Sequence, residues 1–258
     1  MPSILFEIKN NIAFITLNRP EKFNSFNREM ALLLQVKLDE CASLHEVRCV
    51  YITGAGKAFS AGQDISELVG DNRIEIKQIL SEHYNPIVKR IRNLAKPVVA
   101  AINGVAAGAG ANIALCCDVV VASEAAAFIQ AFSKIGLIPD SGGTFTLPRL
   151  VGWQKASALM MTGDKVSATD AEKMGMIYKV FSSDTFEEES KKIATTLANM
   201  PTKGLAYTKH ALNHSFTNSW EEQLLLEDDY QQKAALTYDY NEGINSFLEK
   251  RNPLFKGE

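Results

Sequence analysis

Two glycine-rich segments bring backbone amides to places where a bound anion could be stabilised. Gly108-Ala109-Gly110 precedes an apolar helical run, and Gly54-Ala55-Gly56 ends a strand-like run. The first lacks the third glycine of a dinucleotide fingerprint, and the second lacks the spacing of a P-loop, so neither indicates a nucleotide cofactor. Small residues at a helix start let a ligand approach N–H groups where the helix dipole favours negative charge. The same pattern also fits plain helix-strand packing.

Three aspartates near these segments differ in their local settings. Asp140 is followed by Ser141-Gly142-Gly143, which is typical of a turn or a helix N-cap. Asp118 follows a buried helical run and is expected to hold backbone groups, whereas Asp64 is expected to order its own loop. The local sequence leaves a proton-transfer role for Asp140 open.

The histidines and cysteines show no metal-ligand spacing. His210 and His214 are four residues apart, but no adjacent glutamate or third ligand completes a zinc pattern. The four cysteines form no C-x-x-C pair, and Cys116 and Cys117 are adjacent in an apolar run. We therefore expect no metal site and reduced, buried thiols, which are typical of a cytoplasmic protein.

The composition limits the class of protein. The chain has 258 residues, 46% of them hydrophobic and 22% charged, which excludes disordered, collagen-like and coiled-coil classes. Its net charge of -3 provides no overall positive field for nucleic acid or an anionic membrane. No targeting pattern opens the sequence. The apolar stretch 97–122 is broken by Gly and Asn, and we interpret it as strand, turn, helix and strand, not as a membrane span.

The elements that must position these residues alternate between strand and helix. Residues 4–9 and 12–18 alternate in polarity around Asn10-Asn11, which predicts a β-hairpin. Helical spacing over residues 30–41 and 110–117 separates further apolar strands. These predicted strands cover residues 47–53, 98–102 and 119–122. Strands that alternate with helices predict an α/β fold.

The last third of the chain changes character. After a capping box at Ser167 to Asp170 and a strand predicted over residues 176–181, only helical periodicity follows. The predicted helices are 186–200, 202–215, 220–236 and 241–251. We expect a core over residues 1–200 and a helical region over 201–258, which is too small for a core of its own and should pack on a neighbour. The polar segment Gly70 to Lys77 is predicted to be a flap over a site.

Several spaced motifs resemble one family along nearly the whole chain. They are AFSAGQDI at 58–65, KPVVAAINGVAAGAG at 96–110, GLIPDSGGT at 136–144, LNRP at 17–20 and FLEKRNP at 247–253. Together they resemble the crotonase, or enoyl-CoA hydratase/isomerase, family. The resemblance implies a crotonase-like (ClpP/crotonase) spiral of ββα units, a C-terminal helical trimerisation region and an acyl-CoA substrate. It implies no cofactor beyond the coenzyme A of the substrate, and a homotrimer or dimer of trimers.

The resemblance also assigns roles to residues. The backbone N–H groups of Gln63 and Ala109 would bind the thioester oxygen, and Asp140 occupies the position at which isomerases of the family have an acid that shuttles a proton. The two glutamate positions of the hydratases are Asn112 and Phe132 here. Neither side chain can take a proton from water, which disfavours hydration.

Further substrate contacts follow only from the family analogy. Tyr84 and Phe132 would line the acyl pocket, and Ala61 and Asp64 would contact the substrate or its coenzyme A. Lys22 and Lys250 would contact coenzyme A phosphates, with Lys250 reaching across a subunit boundary; an ordinary core or surface role is the alternative for each.

The motifs NRPEKFNSF at 18–26, HYNP at 83–86 and AFSKIGLIPD at 131–140 most resemble members that isomerise a ring epoxide in phenylacetate catabolism. Three alternatives stay open. They are a Δ3,Δ2-enoyl-CoA isomerase, an enoyl-CoA hydratase of fatty acid β-oxidation, and an RNA-binding or scaffold member of the fold.

Overall fold

The predicted α/β class is confirmed by the computed structural model, which describes residues 1–71 and 73–258; Asn72 of the predicted flap lies outside them. The strands are β1 Ile4–Lys9, β2 Ile12–Leu17, β3 Cys49–Gly54, β4 Ala58–Ser60, β5 Val98–Ile102, β6 Val105–Ala107, β7 Val119–Ser123, β8 Ala127–Ile129, β9 Lys165–Ser167 and β10 Lys179–Phe181. The helices are α1 Arg28–Ser43, α2 Ile76–Gln78, α3 Asn85–Asn93, α4 Ala109–Leu115, α5 Gly143–Val151, α6 Trp153–Thr162, α7 Ala168–Lys173, α8 Phe186–Ala198, α9 Thr202–His214, α10 Trp220–Ala235 and α11 Tyr238–Glu249. A π-helical turn, Ile79–Tyr84, joins α2 to α3, and 3-10 turns cover Pro20–Lys22, Ile65–Leu68 and Ala131–Ile135.

The opening hairpin forms as predicted. Asn10 and Asn11 have φ values of 51° and 62°, the left-handed pair that a two-residue hairpin turn requires. The register pairs Ile4 with Leu17 and Lys9 with Ile12.

The strands form two sheets that the chain visits in turn. The larger sheet has the order β1-β2-β3-β5-β7-β10, and the smaller has the order β4-β6-β8-β9. The chain passes from β3 to β4, from β5 to β6 and from β7 to β8, and a helix follows each pair. Apart from β1 with β2 and β8 with β9, the paired strands are parallel. These repeated units are the predicted spiral, and they place the ends of β4, β6 and β8 side by side.

The buried stretch that was interpreted as strand, turn, helix and strand has that structure. All five residues of β5 are buried, because the main core covers one face of the large sheet and α8 covers the other. Within the described part of the chain, no helix is long and apolar enough to cross a membrane.

The strand predicted over residues 176–181 is shorter, since β10 begins only at Lys179. Gly175 has a φ of 79° and turns the chain, so Met176 and Ile177 are buried before the ladder to β7 begins. Their apolar character reflects core packing and not strand pairing.

The four predicted C-terminal helices all form. Lys209 of α9 is buried against Asp118, and Arg48 donates to the carbonyls of Met200 and Phe255, so these helices are fastened to the spiral. In α10, by contrast, none of the sixteen residues is buried, and Trp220 and Leu225 are more than 70% exposed.

Candidate active site

A cavity of about 540 Å³ opens between the ends of β4 and β6, the π-helical turn and the segment that precedes α5. Its walls are mainly apolar. The residues that line it are Ala61, Gln63, Ile65, Leu68, Ile76, Ile79, Leu80, Tyr84, Asn85, Gly108, Ala109, Ala131, Phe132, Lys134, Ile135, Leu137, Ile138, Pro139, Asp140, Ser141, Gly142 and Thr144. A pocket of this size with few polar groups is typical of a small-molecule site.

Two backbone N–H groups border the cavity without an acceptor. Ala109 is the first residue of α4, where an N–H has no partner within the helix. Gln63 and Phe26 form an isolated parallel bridge. Its two hydrogen bonds run from the Phe26 N–H to the Gly62 carbonyl and from the Asp64 N–H to the Phe26 carbonyl, so the Gln63 N–H takes no part in it. No acceptor for either N–H occurs among residues 1–71 and 73–258. Both donors are therefore available to a ligand.

Gly62 allows these two segments to meet. A Cβ at this position would lie 2.9 Å from the Ala107 carbonyl oxygen and 3.3 Å from the Ala109 nitrogen, and the φ of Gly62 is +89°. Any side chain would push the Gln63 segment away from α4. The Ser60 hydroxyl adds a further restraint, because it accepts the Gly62 N–H at 3.2 Å.

The Gln63 side chain ties the same segment to the cavity wall. Its Oε1 accepts a hydrogen bond from the Tyr84 hydroxyl at 2.7 Å, and its Nε2 donates to Glu67 Oε2 at 2.9 Å. Burial raises the pKa of Tyr84 well above its ordinary value, and the nearby Asp140 charge adds to the effect. Tyr84 therefore stays a neutral donor, and the backbone of Gln63 is held in a fixed direction.

Asp140 is the only acidic side chain among the described residues that line the cavity. Its Oδ1 accepts a hydrogen bond from the Ser141 hydroxyl at 2.8 Å. Burial raises the pKa of the Asp140 carboxyl above its ordinary value, and the Ser141 hydrogen bond opposes that rise. No cation pairs with this carboxylate among the side chains that the structure describes. A carboxyl with a raised pKa and no cation partner, in the same cavity as two free N–H donors, can exchange a proton with a ligand whose oxygen those donors hold.

The two hydratase positions carry no proton-transfer group. Phe132 lines the cavity and is 6% exposed. Asn112 is completely buried: its Nδ2 donates to the Asp140 carbonyl at 2.8 Å, and its Oδ1 accepts from Gln130 Nε2 at 2.8 Å. The amide is thus occupied at both ends.

The structure brings six of the predicted site residues to one cavity and leaves three outside it. The six are Ala61, Gln63, Tyr84, Ala109, Phe132 and Asp140. Asp64 does not line the cavity; it accepts hydrogen bonds from the Ser66 N–H at 3.1 Å and from Arg19 at 2.8 Å, which agrees with a loop-ordering role. Its substrate contact stays a prediction. Lys22 and Lys250 are exposed at other surfaces and do not line the cavity, so their phosphate contacts stay predictions.

Sequence reasoning missed part of the wall. Ile76, Ile79 and Leu80 have the i, i+3, i+4 spacing of an apolar helix face, but the first of them lies in a segment that was interpreted as a polar flap. That spacing was the available signal. The contact of Gln130 with Asn112 was also missed, and no pattern in the sequence indicates it.

The described residues contain no group of three His, Cys, Asp or Glu side chains arranged to hold a metal ion. Cys41, Cys49, Cys116 and Cys117 are all buried, and no two of them are joined by a disulfide.

Comparison with known proteins gives a consistent result. The enoyl-CoA hydratase/isomerase family profile matches residues 7–258. The 1,2-epoxyphenylacetyl-CoA isomerase of Escherichia coli strain K12 is 43% identical over 261 residues, which cover 100% of both chains. The trans-2-decenoyl-acyl-carrier-protein isomerase of Streptococcus mutans is 35% identical, over 99% of this chain and 98% of the other.

Solved structures show the same fold. The crystal structure of enoyl-CoA hydratase from Bacillus anthracis superposes with a TM-score of 0.92 at 32% identity, over 99% of this chain and 100% of that one. Since the family profile matches residues 7–258 and relatives above 30% identity cover 99% or more of the chain, this protein is an enzyme of the enoyl-CoA hydratase/isomerase family.

Proposed function

We propose that the enzyme isomerises an acyl-CoA thioester, with Asp140 as the single acid/base and the N–H groups of Gln63 and Ala109 as the oxyanion hole. The observation that carries the proposal is the cavity itself, in which one carboxyl and two free N–H donors lie within apolar walls. An enolate needs such donors, and each can stabilise its transition state by about 3 kcal/mol.

The proposed reaction needs one proton and no other reagent. Asp140 takes a proton from the carbon next to the thioester, and the electron pair moves onto the thioester oxygen, which the two N–H groups hold. The electrons then return, the double bond moves towards the thioester, and Asp140 gives its proton to the far carbon. The carboxylate is regenerated, and the product has the same atoms as the substrate.

The acyl group most consistent with the family motifs is 2-(1,2-epoxy-1,2-dihydrophenyl)acetyl, in the reaction that forms oxepin-CoA in phenylacetate catabolism. With this substrate, the C–C bond shared by the epoxide and the six-membered ring opens and gives the seven-membered oxepin, with no other reagent. The proton transfer by Asp140 then moves a double bond from the ring to the carbon next to the thioester. The name of the Escherichia coli relative supports this choice. The apolar walls, with Phe132 and Tyr84 among them, would suit either an aromatic ring or an alkyl chain. A Δ3,Δ2-enoyl-CoA isomerase is therefore the second candidate, and hydration is disfavoured because Asn112 and Phe132 supply no base.

The first experiment compares two simple substrates. Purified enzyme is incubated with 3-enoyl-CoA and with crotonyl-CoA in deuterated buffer, and the products are followed by mass. Double-bond migration without water addition is expected, and it would justify synthesis of the aromatic epoxide. Rapid hydration of crotonyl-CoA would overturn the proposal, because another acid/base pair would then be required.

The thioester carrier needs its own comparison, since the Streptococcus mutans relative is named for acyl-carrier protein. The same 3-enoyl group is presented on coenzyme A and on acyl-carrier protein. A higher kcat/KM for the coenzyme A ester is expected, and a preference for the protein carrier would change the assigned substrate class.

We further propose that residues 201–258 join subunits into a homotrimer or a dimer of trimers. Support comes from α10, which buries no residue and exposes Trp220, Leu224 and Leu225. Exposed apolar faces of this kind mark contact surfaces. Light scattering after size exclusion should give the mass of three or six chains. A monomer would refute this assembly.

Of the non-catalytic alternatives, RNA binding has the acidic net charge against it, and a pure scaffold role has against it the two segments that carry the free N–H groups of Gln63 and Ala109. Filter binding of RNA at modest salt tests it, and no retention is expected.

A further inference from the structure

The loop that carries Asp140 has a strained backbone. Ser141 and Gly142 have φ values of 52° and 77°, so two consecutive residues occupy the left-handed region. For a serine this conformation is unfavourable, and it persists only where the surrounding structure fixes it. The direction of the Asp140 side chain therefore depends on what holds the loop.

Three hydrogen bonds to backbone carbonyls hold this loop in place. The Asp140 carbonyl accepts from Asn112 Nδ2 and from the Gly143 N–H, both at 2.8 Å. The Ser141 carbonyl accepts from Cys116 Sγ at 3.4 Å. The thiol is a weak donor and the Gly143 bond lies within the turn, so Asn112 is the strong link from the loop to the rest of the protein.

The fit around Asn112 is tight and directional. A Cβ on Gly143 would lie 2.2 Å from Asn112 Nδ2, so only glycine lets the amide reach the loop. On its other side, Gln130 Nε2 donates to Asn112 Oδ1 at 2.8 Å. This bond orients the amide so that its NH₂ group faces the Asp140 carbonyl. In the reverse orientation, the Asn112 NH₂ would face the Gln130 NH₂, and the Asn112 oxygen would face the Asp140 carbonyl oxygen.

The helix that carries Asn112 also carries the free Ala109 N–H. The two residues are three apart in α4, so they lie on the same side of one helical turn with a rise of about 4.5 Å between them. One rigid turn thus fixes both the proposed oxyanion donor and the loop of the proposed acid/base.

We propose that Asn112 is a positioning residue that, oriented by Gln130, sets the Asp140 carboxyl relative to the Ala109 N–H. The inference rests on the proposed function and goes beyond it, since it assigns an active role to a position that otherwise only lacks a catalytic glutamate. Both ends of the amide are engaged, so Asn112 acts through Asp140 and not on the substrate.

The test uses three variants and one matched control. Asn112→Ala removes the link, Asn112→Asp keeps the shape but places an acceptor against the Asp140 carbonyl, and Gln130→Leu removes the orienting donor. The control is Asn213→Ala, because Asn213 also bridges two elements, with Nδ2 donating to the Arg92 carbonyl at 3.0 Å, but is not among the residues that line the cavity.

Each Asn112 variant should lower kcat about 100-fold, since a misplacement of about 1 Å is enough for such a loss. The KM and the dissociation constant of a saturated acyl-CoA should change less than about threefold. Gln130→Leu should show a smaller loss of the same kind. Asn213→Ala should keep the wild-type kcat even if its melting temperature falls as far as that of Asn112→Ala.

A second readout does not depend on turnover. In the free enzyme, carbon-13 NMR titration of the Asp140 carboxyl should show its pKa falling towards the ordinary value in Asn112→Ala, as the released loop admits water. If the wild type isomerises and the variants keep both its kcat and its Asp140 titration, the positioning role is refuted. If the wild type isomerises nothing, the proposed function fails, while the titration still decides whether Asn112 holds Asp140. Should Asn112→Ala not fold, Asn112→Asp and Gln130→Leu give the same decision.

Discussion

Asp140 and Asp118 lie in two regions that surround an aspartate carboxylate with very different numbers of hydrogen-bond donors. Asp118 Oδ2 accepts from the Val98 N–H and from Lys209 Nζ, both at 2.8 Å, and Arg92 lies 3.7 Å from Oδ1. Asp140 lies in a mainly apolar cavity, and among residues 1–71 and 73–258 its carboxyl receives a single hydrogen bond, from its neighbour Ser141.

The difference separates a structural acid from one that is free to react. Donors and cations fill the oxygens of Asp118, so releasing them for a ligand would leave Lys209 charged and unpaired; its side chain is only 5% exposed. Asp140 keeps acceptor capacity that faces the cavity. Hydrogen-bond saturation, and not burial or residue type, therefore distinguishes the two sites.

The substitution Asp140→Asn is expected to have the largest effect, and it tests whether Asp140 is the reactive acid of the two. If Asp140 transfers the proton, kcat for isomerisation should fall about 1000-fold, in the range typical of a lost general acid/base. The melting temperature and acyl-CoA binding should stay near wild type, because few hydrogen bonds are lost. The rate is measured by double-bond migration, and an active variant would remove Asp140 from the mechanism.

The same change at the other region, Asp118→Asn, should act on stability instead. It leaves the buried Lys209 cation without its partner, which costs about 3 kcal/mol in the free energy of unfolding. Urea unfolding measures the loss, and the folded fraction should keep its kcat/KM. In a double-mutant cycle with Lys209→Met, the two losses should add to more than the loss of the double variant. Full additivity would mean that the ion pair is not coupled.

A change at Gly62 tests the other half of the site, the two N–H groups that we propose as the oxyanion hole. Gly62→Ala should lower kcat about 100-fold, because its Cβ would separate the Gln63 segment from α4 and so remove one donor. Gly70→Ala is the matched control: its φ of 81° is similar, but no atom of the residues that the structure describes lies within 4 Å of an added Cβ. Steady-state kinetics of both variants decides the matter, and equal losses would point to backbone strain alone.

The pH dependence should be the smallest effect, and its sign differs between activity and stability. Since burial raises the pKa of Asp140, the folded state holds this proton more tightly than the unfolded state. Its contribution to stability is present below the unfolded pKa and is lost as the pH rises through the folded pKa. Activity should rise over that same range as the base ionises. Rates and urea midpoints from acid to neutral pH check both trends, and Asp140→Asn should abolish the stability trend.

Asp64 serves as a control for this pH dependence, because its pKa is shifted in the opposite direction to that of Asp140. Burial raises the pKa of Asp64, but hydrogen bonds from Ser66 and Arg19 outweigh it, and the net pKa is lowered. Its stabilising contribution is present above the unfolded pKa and is lost as the pH falls through the folded pKa. Asp64→Asn should therefore weaken stability most at neutral pH.

The sequence by itself determined the α/β class, the opening hairpin, most helices and the segments that meet at the cavity. Local patterns suffice for these features, since Asn10-Asn11 fixes a turn and i, i+3, i+4 spacing fixes a helix face. The family motifs then placed Gln63, Ala109 and Asp140 at the site.

Only the tertiary structure decided which polar groups are left free. The two amide ends of Asn112 meet Asp140 and Gln130, which lie 28 and 18 residues away in the chain, and Lys209 reaches Asp118 across 91 residues. Such partners depend on how the spiral brings distant segments together, and no local pattern encodes them. The same physical reason separates Asp140 from Asp118, because a carboxylate becomes structural or reactive according to the donors that the fold places around it.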